Sequence, residues 1–252
     1  MPLALVTGAS SGIGAATASA LVAEGYRVAL VARSMDRLLE VADPLGEAAT
    51  VHALDASDGD AVLNLVGALG AVDVLVNSAG AGAWKRIEET SPQEAVVMMN
   101  APYQAAFNAT HAVMPGMLQR GKGVIVHVGS PASMCPWPSS VGYAASRFAL
   151  RGLHEALCMD LHGSGVASCH VVFGRVESPY FERNAHAAER IPGIGNIVRT
   201  IQPEEAARIV VRTVLHPRKN VYHPLSLRLN YALFAVAPWL TRYLLRSTGY
   251  SQ

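Results

Sequence analysis

Short apolar runs alternate with helical stretches through about the first 180 residues of the chain. The runs lack the polar–apolar alternation of a half-exposed strand, which indicates strands buried on both faces of a parallel sheet. Helices between such strands form right-handed crossovers, so we predict an α/β fold with one doubly wound, mostly parallel sheet and helices on both faces. The predicted strands are 3–7, 26–32, 50–54, 72–77, 123–129, 166–173 and 220–223. The predicted helices are 12–24, one from Ser34, 58–69, 91–119 with an irregularity at Pro102, 141–163 and 203–214.

The composition limits the function classes. Charged residues make up 15% of the 252 residues and hydrophobic residues 51%, with a net charge of +1. Such a low charged fraction predicts extensive buried surface, oligomer contacts or an apolar ligand. Without a basic patch, nucleic acid is not an expected partner. Three widely spaced cysteines and the absence of a signal peptide predict free thiols in a cytoplasmic protein, and a chain this long needs no structural metal.

The segment TGASSGIG, residues 7–14, follows the first predicted strand and begins the first helix. Its glycines allow a sharp turn and a close approach of the backbone to a phosphate. The helix that starts there directs free N–H groups and its positive dipole end at an anion. The alternative is a tight turn without a ligand. The residues expected to hold a dinucleotide here are Gly8, Ser10, Ser11, Gly12, Ile13 and Gly14.

Further cofactor contacts are predicted after the next three strands, because ligands of such sheets bind at the carboxyl ends of the strands. Arg33 stands where a carboxylate would favour NAD, and a guanidinium suits the 2′-phosphate of NADP; the alternative is a surface arginine. Asp55 can accept a hydrogen bond from an adenine amino group or cap a helix. Asn77 can tie neighbouring loops together, while Ala79 and Gly80 let a ribose pass close to the backbone.

Four polar residues follow in a suggestive order. Ser130 ends the fifth strand, Tyr143 and Arg147 lie about one turn apart on the next helix, and Asn100 lies on the long helix before them. Together with TGASSGIG, NSAG and YAASR, this order resembles the short-chain dehydrogenase/reductase family, whose motifs read TGxxxGxG, NNAG and YxxxK. The resemblance runs from residue 3 to about residue 180 and implies a Rossmann-type fold.

The resemblance implies hydride transfer between a nicotinamide and an alcohol or carbonyl. Tyr143 would be the general acid in carbonyl reduction and the base in alcohol oxidation. Ser130 would hydrogen-bond the substrate oxygen, and Asn100 would hold an ordered water. The stretch VVFGRVESPYF resembles the family's PG-x-V-x-T, in which Val176 keeps its place and Ser178 replaces a threonine that contacts the carboxamide.

Arg147 departs from the family pattern because it replaces a lysine. An arginine can supply charge to Tyr143 and donors to the nicotinamide ribose. It stays protonated, so it can hardly take part directly in a proton relay. Two functions therefore remain open: an NADP(H)-dependent oxidoreductase, or an NADP(H)-binding sensor with little turnover.

Two later segments bear on the substrate. Residues 178–202 are irregular and predict a lid, whose apolar residues either meet an apolar alcohol or ketone or simply pack together. The tail, 225–252, contains an uncharged stretch too short to span a bilayer. It is expected to pack on the fold or on another subunit, or to contact a membrane surface. The family resemblance implies a homodimer or homotetramer.

Overall fold

The computed structural model of the protein describes residues 1–80, 82–178, 190, 192–193, 195 and 198–249. In this part of the chain, seven strands form one parallel sheet. The strands are β1 (Leu3–Thr7), β2 (Arg27–Ala32), β3 (Ala49–Ala53), β4 (Val74–Asn77), β5 (Gly123–Gly129), β6 (Val166–Phe173) and β7 (Asn220–His223). Their order is β3-β2-β1-β4-β5-β6-β7, and every neighbouring pair is parallel. The predicted doubly wound α/β sheet is therefore confirmed.

Helices cover both faces of the sheet. They are α1 (Gly12–Ala23), α2 (Met35–Ala42), α3 (Gly59–Leu69), α4 (Pro92–Met99), α5 (Ala105–Arg120), α6 (Val141–Asp160), α7 (Pro203–Leu215), α8 (Leu225–Val236) and α9 (Pro238–Ser247). One apolar layer joins the sheet to α1, α2 and α7, and the opposite layer joins it to α3 and α5. All five residues of β1 and all four of β4 are buried, which explains their unbroken apolar runs.

The long helix predicted over 91–119 is interrupted where Pro102 lies. α4 begins at a capping box in which Ser91 and Glu94 exchange side-chain-to-backbone hydrogen bonds. A π-helical segment, Asn100–Gln104, then separates α4 from α5, and Ala101 leaves the helical region with φ −135° and ψ 114°. A proline has no N–H to donate to the preceding turn, so an interruption is expected there.

Helix α6 ends three residues earlier than predicted. Gly163 and Gly165 adopt φ values of 77° and 78°, which few other residues tolerate. They turn the chain sharply into β6, and a Cβ at Gly165 would overlap the carbonyl oxygen of Gly121. Apolar periodicity continues past the end of the helix, so this boundary was not readable from the pattern.

The tail forms two helices that return to the body of the protein. α8 and α9 are joined at Ala237, and Leu227 and Tyr231 of α8 pack against Val172 of β6. Among the described residues, no helix is long and apolar enough to cross a membrane. Cys135, Cys158 and Cys169 are free thiols, as predicted.

Candidate active site

A cavity of about 690 Å³ lies at the carboxyl end of the sheet. This volume is typical of a small-molecule or cofactor site. Fourteen of the predicted site residues line it: Gly8, Ser10, Ser11, Gly12, Ile13, Arg33, Asp55, Ala79, Gly80, Ser130, Tyr143, Arg147, Val176 and Ser178. The remaining three, Gly14, Asn77 and Asn100, are not among its lining residues.

The glycine loop forms one end of the cavity. Gly8 and Gly12 have φ values of 67° and 55°, and a Cβ at Gly8 would lie 2.7 Å from the Cα of Ala79. Helix α1 begins at Gly12, so its first N–H groups open toward the cavity end that the loop lines. Gly14 serves packing instead, because a Cβ there would overlap the Gly8 carbonyl oxygen.

Two arginines stand beside the end of β2. Arg33 and Arg37 both line the cavity, together with Ser34, whose hydroxyl caps α2 by accepting from the Arg37 N–H. Arg37 was not predicted from the sequence, although it lies one turn after Arg33 at the start of the helix. Two cations at this place suit a phosphate better than one.

Asp55 lies opposite these arginines, in a turn after β3. Its Oδ1 accepts hydrogen bonds from the Ser57 N–H at 2.9 Å and the Ser57 hydroxyl at 2.8 Å. Burial opposes ionisation of this carboxyl, but the Ser57 hydrogen bonds and the charge of Arg33 outweigh it and lower its pKa. The carboxylate therefore stays an acceptor, and Asp58 rather than Asp55 caps α3.

Tyr143 and Arg147 stack on the buried face of α6. Both residues are only 7% exposed, and the Arg147 Cζ lies 4.6 Å from the centroid of the Tyr143 ring. Two glycines make room for the pair. A Cβ at Gly80 would lie 3.2 Å from Nη2 of Arg147, and a Cβ at Gly82 would lie 2.8 Å from Cδ2 of Tyr143.

Ser130 begins a short 3-10 helix, Pro131–Ser133, immediately after β5. Its hydroxyl accepts a hydrogen bond from the Ala132 N–H at 3.3 Å, and its carbonyl accepts one from the Ser133 hydroxyl at 2.7 Å. These contacts fix a buried hydroxyl in the wall that also holds Tyr143. Since it accepts from Ala132, the hydroxyl keeps its own proton available for donation.

Aromatic rings surround the tyrosine. The ring centroids of Trp84 and Trp137 lie 4.9 Å apart, and each lies about 6 Å from that of Tyr143, at 5.7 Å and 6.1 Å. Cys135 lies in the same wall, and burial raises the pKa of its thiol to about 12, against the opposing charge of Arg242. The thiol is therefore protonated near neutrality and unsuited to act as a nucleophile.

Helices α8 and α9 supply a further wall that was not predicted from the sequence. Their cavity-facing residues are Leu227, Asn230, Tyr231, Thr241 and Leu245. Burial raises the pKa of Tyr231, so its phenol remains protonated. No motif marks these residues, because their place depends on how the tail folds back.

The predicted lid, 178–202, is described only in part. Arg190 donates from Nη1 to the Trp84 carbonyl at 2.9 Å and forms a two-point ion pair with Glu89. Val176 forms a parallel bridge with Ile201, and Val198 lines the cavity. These contacts fasten both described ends of the segment beside the cavity. The apolar residues Ile191, Ile194 and Ile197 lie outside the described residues.

Asn77 and Asn100 stand behind the cavity wall. Asn77 is buried at the end of β4, where its amide lies 3.3 Å from the Thr110 hydroxyl and 3.2 Å from Nδ1 of His127. It thereby ties β4 to α5 and β5. Asn100 lies at the interruption between α4 and α5, and its carbonyl accepts the Ala105 N–H. Its expected role in holding a water stays a prediction.

Comparison with known proteins decides the family. The family model described as short chain dehydrogenase matches residues 2–189. The chain belongs to the short-chain dehydrogenase family. The predicted family is therefore confirmed.

Relatives span a range of chemistry within this dehydrogenase family. Sulfoacetaldehyde reductase 2 of Chromohalobacter salexigens is 30% identical, over 93% of this chain and 98% of that protein. Glycine betaine reductase ATRR of Emericella nidulans is 32% identical over 85% of this chain. A solved alcohol dehydrogenase of the archaeon Thermococcus sibiricus, complexed with 5-hydroxy-NADP, has a TM-score of 0.76 at 29% identity, over 88% of this chain and 96% of its own. The chain spans 18% of ATRR, and 60% and 56% of two further curated relatives.

Proposed function

We propose that this dehydrogenase transfers a hydride between NADP(H) and an apolar alcohol or ketone, with Tyr143 as general acid and base. The observation that carries the proposal is one continuous cavity that joins the glycine loop, the Tyr143–Arg147 pair and an apolar wall. The whole chain, 1–252, would act as one catalytic domain, with 178–202 covering the substrate end.

NADP as the cofactor, predicted from Arg33, is confirmed by the relatives. Curated relatives are named NADP-dependent, and solved neighbours hold NADP or a derivative. The residues of this chain fit that group. Gly8 and Gly12 line the cavity at the start of α1, where the free helix N–H groups suit a pyrophosphate, and Arg33 and Arg37 suit a 2′-phosphate.

Replacing both arginines tests this assignment. Arg33→Ala/Arg37→Ala is expected to raise the Kd of NADPH roughly 10²- to 10³-fold, because hydrogen bonds to a charged group contribute about 1.5–3 kcal/mol each. The Kd of NADH should change only a few-fold, since NADH lacks the 2′-phosphate. Calorimetric titration measures both. Arg27→Ala/Arg208→Ala removes the same charge from exposed sites outside the cavity lining and serves as control. Equal losses for the two cofactors would contradict the assignment.

The chain's own groups perform the proton chemistry. NADPH, held beside Gly8, Arg33 and Arg37, would supply the hydride that the carbonyl carbon receives. The Tyr143 phenol donates its proton to the carbonyl oxygen, and Ser130 donates a hydrogen bond that holds this oxygen. The Arg147 guanidinium, stacked on the Tyr143 ring, stabilises the phenolate that remains. In alcohol oxidation the same phenolate takes the proton back.

The substrate class follows from the wall chemistry. Trp84, Trp137, Leu227 and Leu245 give an apolar lining beyond Tyr143. Among the described lining residues the only carboxylate is Asp55, at the cofactor end. A substrate of largely hydrocarbon character is therefore favoured, with its carbonyl near Tyr143 and Ser130.

The sensor alternative rests on Arg147. A guanidinium does not release a proton near neutrality, so it cannot relay protons as a lysine can. On that hypothesis the chain binds NADP(H) but turns over little.

An assay of NADPH oxidation against a panel of apolar ketones and aldehydes separates the two functions. We expect turnover by the wild type, and a change of less than about tenfold in Arg147→Lys, since both side chains present a cation to Tyr143. Activity that appears only in Arg147→Lys would favour the sensor. If neither the wild type nor Arg147→Lys oxidised NADPH with any compound of the panel, although both bind NADPH, the apolar substrate class would be contradicted.

Assembly and location complete the proposal. Helices α5 and α6 expose large apolar side chains, namely Phe107, Leu118, Val141 and Phe148, which favours a homodimer or homotetramer. The cytoplasmic location stays a prediction from the sequence. Sedimentation velocity measures the oligomer, and a monomer at micromolar concentration would contradict it.

A further inference from the structure

The outer faces of α8 and α9 expose a patch of large apolar side chains, here called the tail face. On α8 its main members are Leu225, Leu229 and Val236, with relative exposures of 66%, 65% and 86%. On α9 they are Trp239 and Tyr243, at 71% and 64%. Residues 225, 229, 232 and 236 follow a helical repeat, so the α8 members form one continuous stripe. Exposed apolar stripes of this kind mark interaction surfaces.

All charged residues of the two helices that form the tail face are arginines. Arg228, Arg242 and Arg246 are exposed on the same two helices. From residue 206 to residue 252 the chain has seven arginines and lysines and no aspartate or glutamate. The last carboxylate before this stretch, Glu205, is paired with Arg199 and His223. The positive charge of the tail face is therefore not neutralised from within its own segment.

The inner faces of the same helices belong to the cavity. Leu227 and Tyr231 of α8 and Thr241 and Leu245 of α9 line it. The tail face and the cavity are thus two sides of a single layer of helices. A surface that held the outer side would lie one helix away from the substrate end of the cavity.

We propose that the tail face docks the protein on an anionic bilayer surface. An interfacial helix pair combines exposed leucine, tryptophan and tyrosine with arginine, and it lies along the membrane instead of crossing it. The charge distribution argues against a second copy as the occupant. A two-fold contact through this patch would bring its arginines against their own copies, without carboxylates to pair with. Anionic headgroups complement the same arginines.

Flotation with vesicles tests this docking, without cofactor or substrate. We expect the full chain to float with phosphatidylcholine vesicles that contain about 30% phosphatidylglycerol, and much less with phosphatidylcholine alone. Raising the salt should weaken the anionic binding, because screening acts on exposed charges. Because the readout is binding alone, its failure would not bear on the proposed oxidoreductase activity, which is measured separately.

Two matched pairs of variants locate the contact. Leu229→Gln/Trp239→Gln should lower partition at least about tenfold, while Ile87→Gln/Met159→Gln, at exposed positions on other elements, should leave it unchanged. Arg228→Gln/Arg246→Gln should lower anionic partition roughly 30-fold, and Arg212→Gln/Arg218→Gln much less. Equal losses in a variant pair and its control would overturn the proposal.

A wild-type measurement makes the test independent of how variants fold. Trp84 is 8% exposed and Trp137 is half-buried, so Trp239 is the most accessible tryptophan of the three. Lipids brominated on their acyl chains should quench its fluorescence on anionic vesicles. Absence of both quenching and flotation would overturn the proposal. The proposal would also be overturned if the protein bound no vesicles but self-associated, and if Leu229→Gln/Trp239→Gln abolished this self-association.

Discussion

Tyr143→Phe is expected to lower kcat for carbonyl reduction about 10³-fold, within the range that general acid–base catalysis contributes. The change removes one oxygen from a buried side chain and keeps the ring that Trp84, Trp137 and Arg147 contact. The cavity should therefore keep its shape, and the Kd of NADPH should stay within about twofold. Steady-state rates with the best ketone of the panel and calorimetric titration of NADPH measure the two quantities.

Tyr26→Phe is the matched control for this prediction. Tyr26 lies just before β2, at the opposite end of the sheet from the cavity, and loses the same phenolic oxygen. Its kcat should equal that of the wild type. If Tyr143→Phe kept wild-type turnover, another group would be the acid. If Tyr143→Phe lost NADPH binding as well, the main role of the phenol would be to bind the cofactor and not to transfer a proton.

The fold was largely predictable because a parallel strand that is buried on both faces appears in the sequence as a nearly continuous apolar run. β1 and β4 are apolar at nearly every position, and glycine or polar residues follow each of them. The boundaries were less predictable. The end of α6 depends on Gly163 and Gly165, which both have positive φ values, and on the close approach of Gly165 to the distant Gly121.

The cofactor half of the candidate site followed from the same logic. Residues just after parallel strands meet at one edge, so the positions of Gly8, Arg33 and Asp55 along the chain were enough to group them. The substrate half could not be grouped in this way. Trp84 and the α8–α9 wall approach Tyr143 only through long-range packing, and neither carries a motif.

The structure around Arg147 accommodates an arginine in place of the family lysine. Arg147 is bulkier and planar, yet its guanidinium fits beneath the chain at Gly80, where a Cβ would lie 3.2 Å from Nη2. The neighbouring Gly82 gives the Tyr143 ring similar room. A site that accommodates the larger cation so closely is consistent with a working pair. The pH dependence of Arg147→Lys against wild type would reveal any difference in proton relay.

Three buried histidines lie behind this site and give the protein a second measurable property. His127 of β5 and His170 of β6 are register partners, and His154 of α6 lies between them, with ring centroids 6.0 Å and 5.5 Å away. All three are at most 1% exposed. Burial lowers the pKa of His154 to about 4 and that of His170 to about 3, and it holds the pKa of His127 well below its ordinary value. The folded protein therefore keeps all three neutral.

The sign of the pH effect follows from proton counting. The unfolded chain binds protons at these histidines near the ordinary value of 6.5, whereas the folded chain does so only near pH 4 at His154 and near pH 3 at His170. The free energy of unfolding therefore falls as the pH falls through 6.5, by about 1.4 kcal/mol per pH unit and histidine. Glu89, Glu94 and Glu205 have pKa values of about 2, so their contributions change only below about pH 4.5.

Acidification from about pH 7 to about pH 5 should thus remove about 4 kcal/mol of stability through His154 and His170 alone, and more through His127. This is a large part of the free energy of unfolding of a typical protein, which is about 5–15 kcal/mol. His170→Leu, of similar volume, should lose about 2 kcal/mol less over the same step, because one buried histidine no longer charges on unfolding. Urea denaturation at both pH values measures the difference, with exposed His162→Leu as control. A His170→Leu variant that folds at about pH 7 yet keeps the full acid loss would show that other groups take up the protons.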